Sequence, residues 1–350
     1  MDKSQILMSA KKRHGLAFAY KALAFMCLLL LIAFLSVNGS LFAKHAAEHF
    51  TETSQLFCGS YTEDYIMRWQ FQKICDHSYD PRTSEFLWPT KSTGVTFDPA
   101  KVNAGDLIFV RDVPTFFKKL APQIKQPYVM ITAGEYRDMV LESSLDYLED
   151  PRIIAWFSVH ASKRTHPKFH AIPLGIYQDK KYYKPRAELT QLFAQLRNAP
   201  KEKLLYMNFG DIRGKKPERA DVIDRFEEAP YCFKGERLPF LEYMKEMSKF
   251  KFSLSPRGYG PDCYRHWEAM MVGSIPVFRA SHMDPLYADL PVLIINDWDE
   301  VDEEFLEKKY KEITSKKYAI EKLFMEFWIQ KIENVRDTFL KNNSLKKERK

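Results

Sequence analysis

Short apolar runs alternate with segments of helical spacing along the chain from residue 106 onward. Strand-like runs occupy residues 106–110, 128–132 and 153–157, and residues 114–124 between the first two have helical spacing. Such alternation is typical of a parallel α/β sheet, in which a helix connects each strand to the next. The same pattern predicts further strands at 172–174, 204–208, 250–254 and 274–278, and further helices at 61–74, 189–196, 219–226, 239–247 and 262–272.

A long amphipathic helix is predicted near the C-terminus. Apolar residues recur there at three- and four-residue spacing from Ile320 to Phe339, which is the pattern of one buried helix face. Because a helix of this length can contact more than one unit, we expect it to pack across two α/β domains.

The N-terminal region predicts a membrane segment. Residues 22–37 contain no charge, and together with residues 16–21 they form an apolar stretch interrupted only by Lys21. A helix of that length spans a hydrocarbon core of about 30 Å. Basic residues at 11–13 precede it, so the positive-inside rule places the N-terminus in the cytoplasm and the body on the far side, as in a type II protein. A cleaved signal peptide is the alternative, because small residues follow the apolar stretch.

The net charge is concentrated at the two ends of the chain. The 350 residues carry a formal net charge of +7. Residues 1–21 contain five Lys or Arg and one Asp, and residues 341–350 contain five Lys or Arg and one Glu, so the rest of the chain is close to neutral. A nucleic-acid surface needs a concentrated basic patch on a folded domain, and this distribution argues against nucleic acid as a partner.

These patterns together predict seven segments. They are a cytoplasmic tail (1–14), a transmembrane signal-anchor (15–37), a stem (38–60), a first α/β domain (61–198), a second α/β domain (199–315), the long helix (316–340) and a basic tail (341–350). The fold class predicted from the pattern is therefore α/β, with two domains preceded by one transmembrane helix.

The segment 252–278 contains the largest group of residues that could bind a ligand. An apolar strand leads into a turn that contains Gly258 and Gly260, and a helix follows the turn. Free backbone N–H groups and the positive end of the helix dipole make such a turn a seat for phosphate. Arg265 and Glu268 are three residues apart on the helix and share one face. A phosphate seat beside a carboxylate that can accept ribose hydroxyls points to a nucleotide. An ordinary βαβ turn with a surface Arg–Glu pair is the alternative.

The order of residues in this segment resembles the donor-site segment of exostosin-type glycosyltransferases. The resemblance rests on Ser-Pro-Arg-Gly-x-Gly-x-Asp-Cys-x-Arg-x-Trp-Glu-Ala from Ser255, followed by Gly-Ser-Ile-Pro-Val from Gly273, and it extends more diffusely over residues 105–310. It implies a GT-B fold, in which two Rossmann-like domains face each other across a cleft. It also implies a nucleotide-sugar donor, UDP-linked, a glycan or glycoconjugate acceptor, inverting transfer, and no essential metal or other cofactor.

The resemblance further implies roles for individual residues. Six positions of the motif would bind the donor: Arg257, Gly258, Gly260, Asp262, Arg265 and Glu268. Arg257 would contact the diphosphate and Glu268 the ribose, and the two glycines would allow the backbone to approach the donor closely. Asp262 and Arg265 also fit a role in capping or bracing the helix.

An inverting transfer needs a base that removes the proton of the acceptor hydroxyl. In open α/β sheets such groups follow the carboxyl ends of strands. Glu135 follows the strand 128–132 in a Gly-containing turn and is the first candidate. Asp112 follows the strand 106–110 and is the second. Each of them also fits an ordinary loop carboxylate.

Asp297-Trp298-Asp299 supports a competing interpretation, because it matches the Asp-x-Asp motif of metal-dependent GT-A transferases. Two carboxylates at that spacing hold a divalent metal against the diphosphate. An acidic run follows directly, however, and this favours a helix N-terminus. We therefore assign no metal ligand.

Two other functions stay open. A type II membrane sulfotransferase also uses a nucleotide, but residues 94–96 lack the basic, Gly-Thr-like turn expected at its first strand–helix junction. The second alternative function is that of a non-catalytic glycan-binding protein with the same fold. In a eukaryotic host, a type II glycosyltransferase would be expected in the Golgi membrane, with its catalytic domain in the lumen.

Overall fold

Two parallel β-sheets of five strands each organise the protein. The computed structural model describes residues 57–58, 65–68, 70–81, 97–133, 142–177, 186–210 and 217–348. Within that part of the chain, the prediction of an α/β fold with two parallel sheets is confirmed. The predicted transmembrane segment 15–37 lies outside it, and none of the described helices is long and apolar enough to cross a membrane.

Strands and helices alternate through most of this region. The strands are β1 (Phe57–Cys58), β2 (His77–Tyr79), β3 (Leu107–Val110), β4 (Tyr128–Thr132), β5 (Ile153–Ser158), β6 (Phe169–Ala171), β7 (Lys203–Met207), β8 (Cys232–Lys234), β9 (Phe250–Leu254), β10 (Ile275–Arg279), β11 (Leu293–Ile295) and β12 (Tyr318–Ala319). The α-helices are α1 (Gln70–Lys73), α2 (Val113–Thr115), α3 (Arg186–Arg197), α4 (Pro217–Phe226), α5 (Phe240–Met247), α6 (Tyr264–Met271), α7 (Glu303–Thr314) and α8 (Met325–Glu348).

The first sheet has its strands in chain order, β2-β3-β4-β5-β6, and all neighbours are parallel. Right-handed crossovers that advance in one direction all lie on the same face of a sheet. On that face, Ile108 and Met130 pack with Phe116 and Leu145 from the connecting segments. The opposite face receives no crossover, so another part of the chain must cover it.

The C-terminal helix α8 covers this opposite face. Phe109 of β3 shares one hydrophobic cluster with Trp328 and Ile332 of α8. Farther along, the helix passes so close to the loop before β3 that a Cβ on Gly105 would lie 2.8 Å from Leu340 Cδ1. Gly105 also has a φ of +90°, a conformation that side chains disfavour. The contact between α8 and this loop therefore depends on a glycine.

The second sheet has the order β11-β10-β9-β7-β8, again entirely parallel. Its chain order reverses between β7 and β9, so helices lie on both faces. Helices α4 and α7 contribute to the cluster on one face. Helices α5 and α6 contribute Met244 and Trp267 to the other cluster, which also contains Phe109 of the first sheet. One continuous hydrophobic core thus joins the two sheets.

Three local predictions are wrong in detail. Residues 61–74 are predicted as a helix. Of the residues in this range that the structure describes, only α1 is helical, and Tyr65 and Met67 form bridges to Phe324 and Gly175. Pairing with distant backbone has overridden the local helical spacing. The strand predicted at 172–174 lies three residues earlier, as β6. The helix predicted at 114–124 is a short α-helix that continues as π-helical and 3-10 turns.

Candidate functional site

The loops after β7 and β9 meet at the carboxyl edge of the second sheet, where the strand order reverses. In open α/β sheets, ligands bind in the crevice at this switch point. The first loop begins at Asn208, and the second occupies residues 255–263 and leads into α6. The first sheet has no such reversal, because its strands follow chain order. The topology alone therefore places the candidate site on the second sheet.

Arg219 of α4 connects the two loops. Its Nε donates to the carbonyl of Arg257 at 3.3 Å, and its Nη1 donates to the carbonyl of Gly210 at 3.4 Å. Arg265 of α6 donates from Nη2 to the carbonyl of Pro256 at 2.7 Å. Both guanidiniums are thereby held at the switch point by backbone carbonyls, which carry no net charge.

The same two guanidiniums lie against the ring of Phe209. The Cζ of Arg265 is 5.1 Å and the Cζ of Arg219 is 5.8 Å from the ring centroid. Burial and the nearby charge of Arg265 lower the pKa of Arg219 to about 10. The Nε of Arg265 is buried and forms no hydrogen bond with any described residue. Two close cations, one of them with an unused donor, form a site that favours an anion.

A cleft of about 640 Å³ opens beside these arginines. Residues from the switch point and from α5 and α6 line it, including Tyr177, Asn208, Phe240, Tyr243, Tyr264, Arg265 and Glu268. Four of its ten lining residues are aromatic, and Asn208, Arg265 and Glu268 are among the polar ones. Such a cleft suits a ligand with a flat apolar part and a charged part.

Glu268 is buried at the base of this cleft, with 3% of its surface exposed. Its Oε1 accepts a hydrogen bond from the backbone N–H of Tyr177, and its Oε2 accepts one from the hydroxyl of Tyr243, both at 3.0 Å. Burial raises the pKa of Glu268, and the Tyr177 hydrogen bond and the charge of Arg265 oppose the rise. Since a carboxylate has about four acceptor sites, Glu268 keeps acceptor capacity for hydroxyls of a ligand.

A second pocket, of about 250 Å³, adjoins the carboxyl ends of β9, β10 and β11. Glu218, Arg257, Arg279, Ser281 and Asn296 give it a polar lining. Arg279 is paired with Asp297 at 3.3 Å. Arg257 is exposed and has no ion pair with a described carboxylate, so its charge is available to a ligand.

Asp262 lies in the interior rather than in either pocket. Its Oδ1 accepts hydrogen bonds from the Tyr287 hydroxyl at 2.6 Å and from Trp267 Nε1 at 2.8 Å, and its Oδ2 accepts one from the backbone N–H of Leu174 at 2.8 Å. Burial raises the pKa of Asp262, but the charge of His266, whose Nδ1 is 3.7 Å away, and the hydrogen bonds from Tyr287 and Leu174 lower it further, so it lies below its usual value. A donor contact at Asp262 would need one of these hydrogen bonds to break.

The structure thus brings together most of the residues that the motif suggested. Arg265 and Glu268 line the larger cleft, and Arg257 lines the smaller pocket. A Cβ on Gly258 would lie 3.4 Å from Arg219 Nη2, so the glycine keeps the loop close to that guanidinium. Gly260 is buried in the same loop.

Arg219 and Phe209 were not predicted from the sequence. Both lie more than 30 residues before the motif. Nothing in their own spacing marks them, because only the pairing of β7 with β9 brings them to it. An Arg near the start of a predicted helix that follows a predicted strand is the one available signal, and it is weak.

Of the two candidate bases, the structure describes Asp112 but not Glu135. Asp112 follows β3 with a φ of 66°, an uncommon conformation for a residue with a side chain. Its Oδ1 accepts a hydrogen bond from the backbone N–H of Thr115 at 3.4 Å and so caps α2. Which residue acts as the base stays a prediction.

The Asp297-Trp298-Asp299 motif begins a helical turn, as the acidic run indicated. Asp297 and Glu300 form a capping box, and Asp302 caps α7 through the backbone N–H of Phe305 at 2.8 Å. The Asp299 carboxylate pairs with Arg225. Among the residues that the structure describes, no group of three or more His, Cys, Asp or Glu is arranged to hold a metal ion.

Comparison with known families supports the resemblance seen in the sequence. Residues 234–346 match the family model of the RXYLT1 C-terminal domain. The matched segment is similar to an exostosin-type glycosyltransferase domain. It contains the loop 255–263, Arg257, Arg265 and Glu268, whereas Arg219 and Phe209 precede the matched residues. The prediction of an exostosin-type relationship is confirmed. Among curated proteins, no significant sequence match was found.

Solved glycosyltransferase structures resemble this chain only distantly. The GtfA/B complex is 12% identical over 68% of this chain, with a TM-score of 0.32, and this chain covers 59% of that one. The catalytic domain of starch synthase IV from Arabidopsis thaliana bound to ADP and acarbose is 11% identical over 68% of this chain and 74% of its own, with a TM-score of 0.35. The pneumococcal O-GlcNAc transferase GtfA in complex with UDP and GlcNAc is 10% identical over 67% and 58%, with a TM-score of 0.31. Similarity at this level assigns no substrate to this chain.

Proposed function

We propose that the protein is a glycosyltransferase that transfers a sugar from a UDP-linked donor to a glycan or glycoconjugate acceptor. The observation that carries the proposal is the pair Arg219 and Arg265 at the switch point of the second sheet. Their guanidiniums are held by backbone carbonyls and lie on one aromatic ring. Guanidiniums in this arrangement match the geometry and charge of a diphosphate.

The two pockets on either side of the arginines suggest how the donor binds. The nucleoside would occupy the 640 Å³ cleft, where aromatic rings can stack on the base and Glu268 can accept ribose hydroxyls. The transferred sugar would occupy the polar 250 Å³ pocket, beside Arg257. The diphosphate would lie between them, against Arg219 and Arg265.

The arrangement supports an inverting transfer without an essential metal. As the bond between sugar and diphosphate breaks, negative charge grows on the leaving phosphate. Fixed guanidiniums in a partly buried site stabilise that charge without reorganising. A carboxylate from the first half of the chain, Glu135 or Asp112, would remove the proton of the acceptor hydroxyl. The φ of Asp112 is of the strained kind that clusters at functional sites.

We also propose that the enzyme is anchored in a membrane as a type II protein, with its catalytic part in a lumen or on an extracytoplasmic face. The support is the apolar stretch within residues 15–37 and the basic residues before it.

Binding of nucleotides to the full chain in detergent micelles tests the proposed donor site. Arg219→Gln and Arg265→Gln should each weaken UDP binding about 10- to 100-fold, because each removes a charge-assisted contact to phosphate. Arg225→Gln is the matched control, since Arg225 lies on the same helix and pairs with Asp299. It should bind UDP like the unchanged protein. Isothermal titration gives the three dissociation constants, and hydrolysis of UDP-sugars reports the loss of activity.

Three outcomes would contradict the proposal. Preferential binding of adenosine 3′,5′-bisphosphate would favour a sulfotransferase. Unchanged UDP binding in both arginine variants would show that the diphosphate does not bind at the switch point. Tight UDP binding without hydrolysis or transfer, for any UDP-sugar and glycan tested, would favour a non-catalytic glycan-binding protein.

A further inference from the structure

Among the described residues that line the larger cleft, one has a side-chain amide, Asn208, directly after β7. Its Nδ2 donates to the hydroxyl oxygen of Tyr206 at 2.7 Å and to the backbone carbonyl of Glu236 at 2.8 Å. An amide nitrogen has two hydrogens, and both are used here. The group that Asn208 can offer to a ligand is therefore its carbonyl oxygen, Oδ1, which can only accept.

Two linked hydrogen bonds, from Asn208 to Tyr206 and from Tyr206 to Glu246, fix this orientation. We call them the Tyr206–Glu246 relay. The hydroxyl of Tyr206 lies 2.6 Å from Oε2 of Glu246. A carboxylate has no hydrogen to give, so the hydroxyl donates to Glu246 and must accept from Asn208. Burial raises the pKa of Tyr206, as does the hydrogen bond to Glu246, so the hydroxyl keeps its proton. If the amide were flipped, its oxygen would face the carbonyl oxygen of Glu236 and a hydroxyl without a free hydrogen.

The surrounding backbone leaves no room for this relay to rearrange. A Cβ on Gly235 would lie 2.7 Å from the Tyr206 hydroxyl and 2.8 Å from Glu246 Oε2. The backbone of Gly235 therefore covers the relay directly. Tyr206 itself is fully buried between Phe250 and neighbouring rings. The acceptor at Asn208 is thus built into the fold rather than chosen by the ligand.

The aromatic wall of the cleft suits a base near this acceptor. Tyr177 is 50% exposed, and its ring lies edge-on to Tyr264 at a centroid distance of 5.6 Å and near Phe240 at 6.4 Å. An exposed ring held by two others is an ordered surface on which a planar base can stack. Stacking accepts every base, so the choice among bases must come from a directional group such as Asn208 Oδ1.

We propose that Asn208, held by the Tyr206–Glu246 relay, selects a uracil base over cytosine by accepting a hydrogen bond from the uracil N3–H. This inference rests on the proposed function and deepens it. Uracil carries a hydrogen on N3, whereas the N3 of cytosine is an acceptor. Cytosine would therefore place one acceptor against another, which costs a hydrogen bond and adds repulsion.

Titration of the full chain with UDP and with CDP tests the selection. The unchanged protein should bind UDP at least about tenfold more tightly than CDP, the range expected for one buried hydrogen bond. Asn208→Ala should weaken UDP binding about tenfold and should not weaken CDP binding, because uracil loses a partner whereas cytosine loses an unfavourable contact. A thermal melt of each variant verifies that it is folded.

A second variant tests the relay itself. Glu246→Gln replaces a pure acceptor by a group that can also donate to Tyr206, so the orientation of Asn208 is no longer imposed from that end. The ratio of UDP to CDP affinity should fall by at least about threefold, although residue 246 bonds to Tyr206 and not to the ligand. Glu242→Gln is the matched control, since Glu242 lies on the same helix and pairs with Lys245. It should leave the ratio unchanged.

The outcomes separate this inference from the proposed function. Equal affinity of the unchanged protein for UDP and CDP overturns the selection by Asn208 and leaves the glycosyltransferase standing. An unaltered UDP-to-CDP ratio in both Asn208→Ala and Glu246→Gln does the same. Failure of the unchanged protein to bind either nucleotide overturns both proposals.

Discussion

Two buried carboxylates six residues apart have opposite pKa shifts. Asp262 receives strong hydrogen bonds from several donors, which lower its pKa below the usual value despite burial. For Glu268, burial is the larger effect, and its pKa lies above the usual value. The two carboxylates differ in how many hydrogen bonds they already accept. Hydrogen bonds to the ionised form lower the pKa of a buried carboxyl, and Asp262 accepts more of them than Glu268 does. Asp262 is therefore a fixed part of the core, whereas Glu268 can gain from further donors such as ribose hydroxyls.

Two substitutions at Glu268 should separate its structural and binding roles. Glu268→Ala removes the acceptor of the Tyr177 N–H and the Tyr243 hydroxyl, and should lower the free energy of unfolding by about 2–3 kcal/mol. Glu268→Gln preserves the shape and one acceptor, so it should keep the melting temperature within a few degrees. It should nevertheless weaken UDP binding about tenfold, because an amide accepts fewer hydrogen bonds. Thermal melts and titration measure the two effects. Wild-type UDP affinity in Glu268→Gln would mean that Glu268 has only a structural role.

At the scale of secondary-structure elements, one lysine side chain caps the C-terminal ends of three helices. Nζ of Lys201 donates to the carbonyls of Leu196 at 3.2 Å, Ser248 at 2.7 Å and Val272 at 2.8 Å. These carbonyls lie at the C-terminal ends of α3, α5 and α6, where helices have unpaired acceptors and a partial negative charge. Lys201 thus sets how the three helices converge behind the candidate site.

Lys201→Met should therefore destabilise the protein more than an ordinary surface change. The methionine fills much the same volume but leaves three helix-end carbonyls without this donor, and the free energy of unfolding should fall by about 2–4 kcal/mol. Lys245→Met is a suitable control, because Lys245 is exposed and pairs only with Glu242 on the same helix. Denaturant titration of both variants gives the comparison. Equal stabilities of the two variants would show that Lys201 is not needed at this junction.

The unit β9–α6–β10 shows what could be predicted from the sequence. Its strands and helix lie within two residues of the predicted bounds. An apolar strand, a turn with glycines and an amphipathic helix are local signals, and Gly273 ends the helix with a φ of +77°. Arg265 and Glu268 could be placed on one face by counting along the helix, and they do line one cleft.

Other parts of the site could not be predicted, because they depend on which strands become neighbours. Arg219 reaches the motif only through the pairing of β7 with β9. Asn208 becomes a directional acceptor only because Glu246, on a separate helix, bonds to Tyr206. Likewise, the interior position of Asp262 follows from a hydrogen bond to Leu174, 88 residues away. The spacing of apolar residues and the amino-acid composition carry no information about such long-range contacts.

At the scale of the whole molecule, the contact between β6 and α8 makes stability depend on pH. His170 of β6 stacks on Phe157 at a centroid distance of 4.8 Å. Burial, and then the charge of Lys331 on α8, lower the pKa of His170 to about 4. In the unfolded chain its pKa is about 6.5. The unfolded state therefore binds more protons between these two values, and the free energy of unfolding falls as the pH drops from about 6.5 to about 4.

Removal of this titration should reduce the sensitivity of the fold to acid. His170→Gln should lose less stability than the unchanged protein between pH 7 and about pH 4.5, by about 1 kcal/mol once partial exposure of the ring is allowed for. Denaturant titrations at a series of pH values measure the difference between the two slopes. Groups other than His170 titrate in both proteins and cancel in the comparison. Parallel stability curves would show that His170 does not control the acid response.

The cover that α8 provides for the first sheet also has a consequence for synthesis. A ribosome makes the chain from the N-terminus, so β2 to β6 emerge first and α8 emerges only after the entire second sheet. Until then, one face of the first sheet, with Phe109 and Ile131, lacks the cover that α8 provides. Nascent chains with an uncovered apolar sheet face are substrates for chaperones and prone to aggregate. This apolar face therefore stays without its cover until α8 has been synthesised.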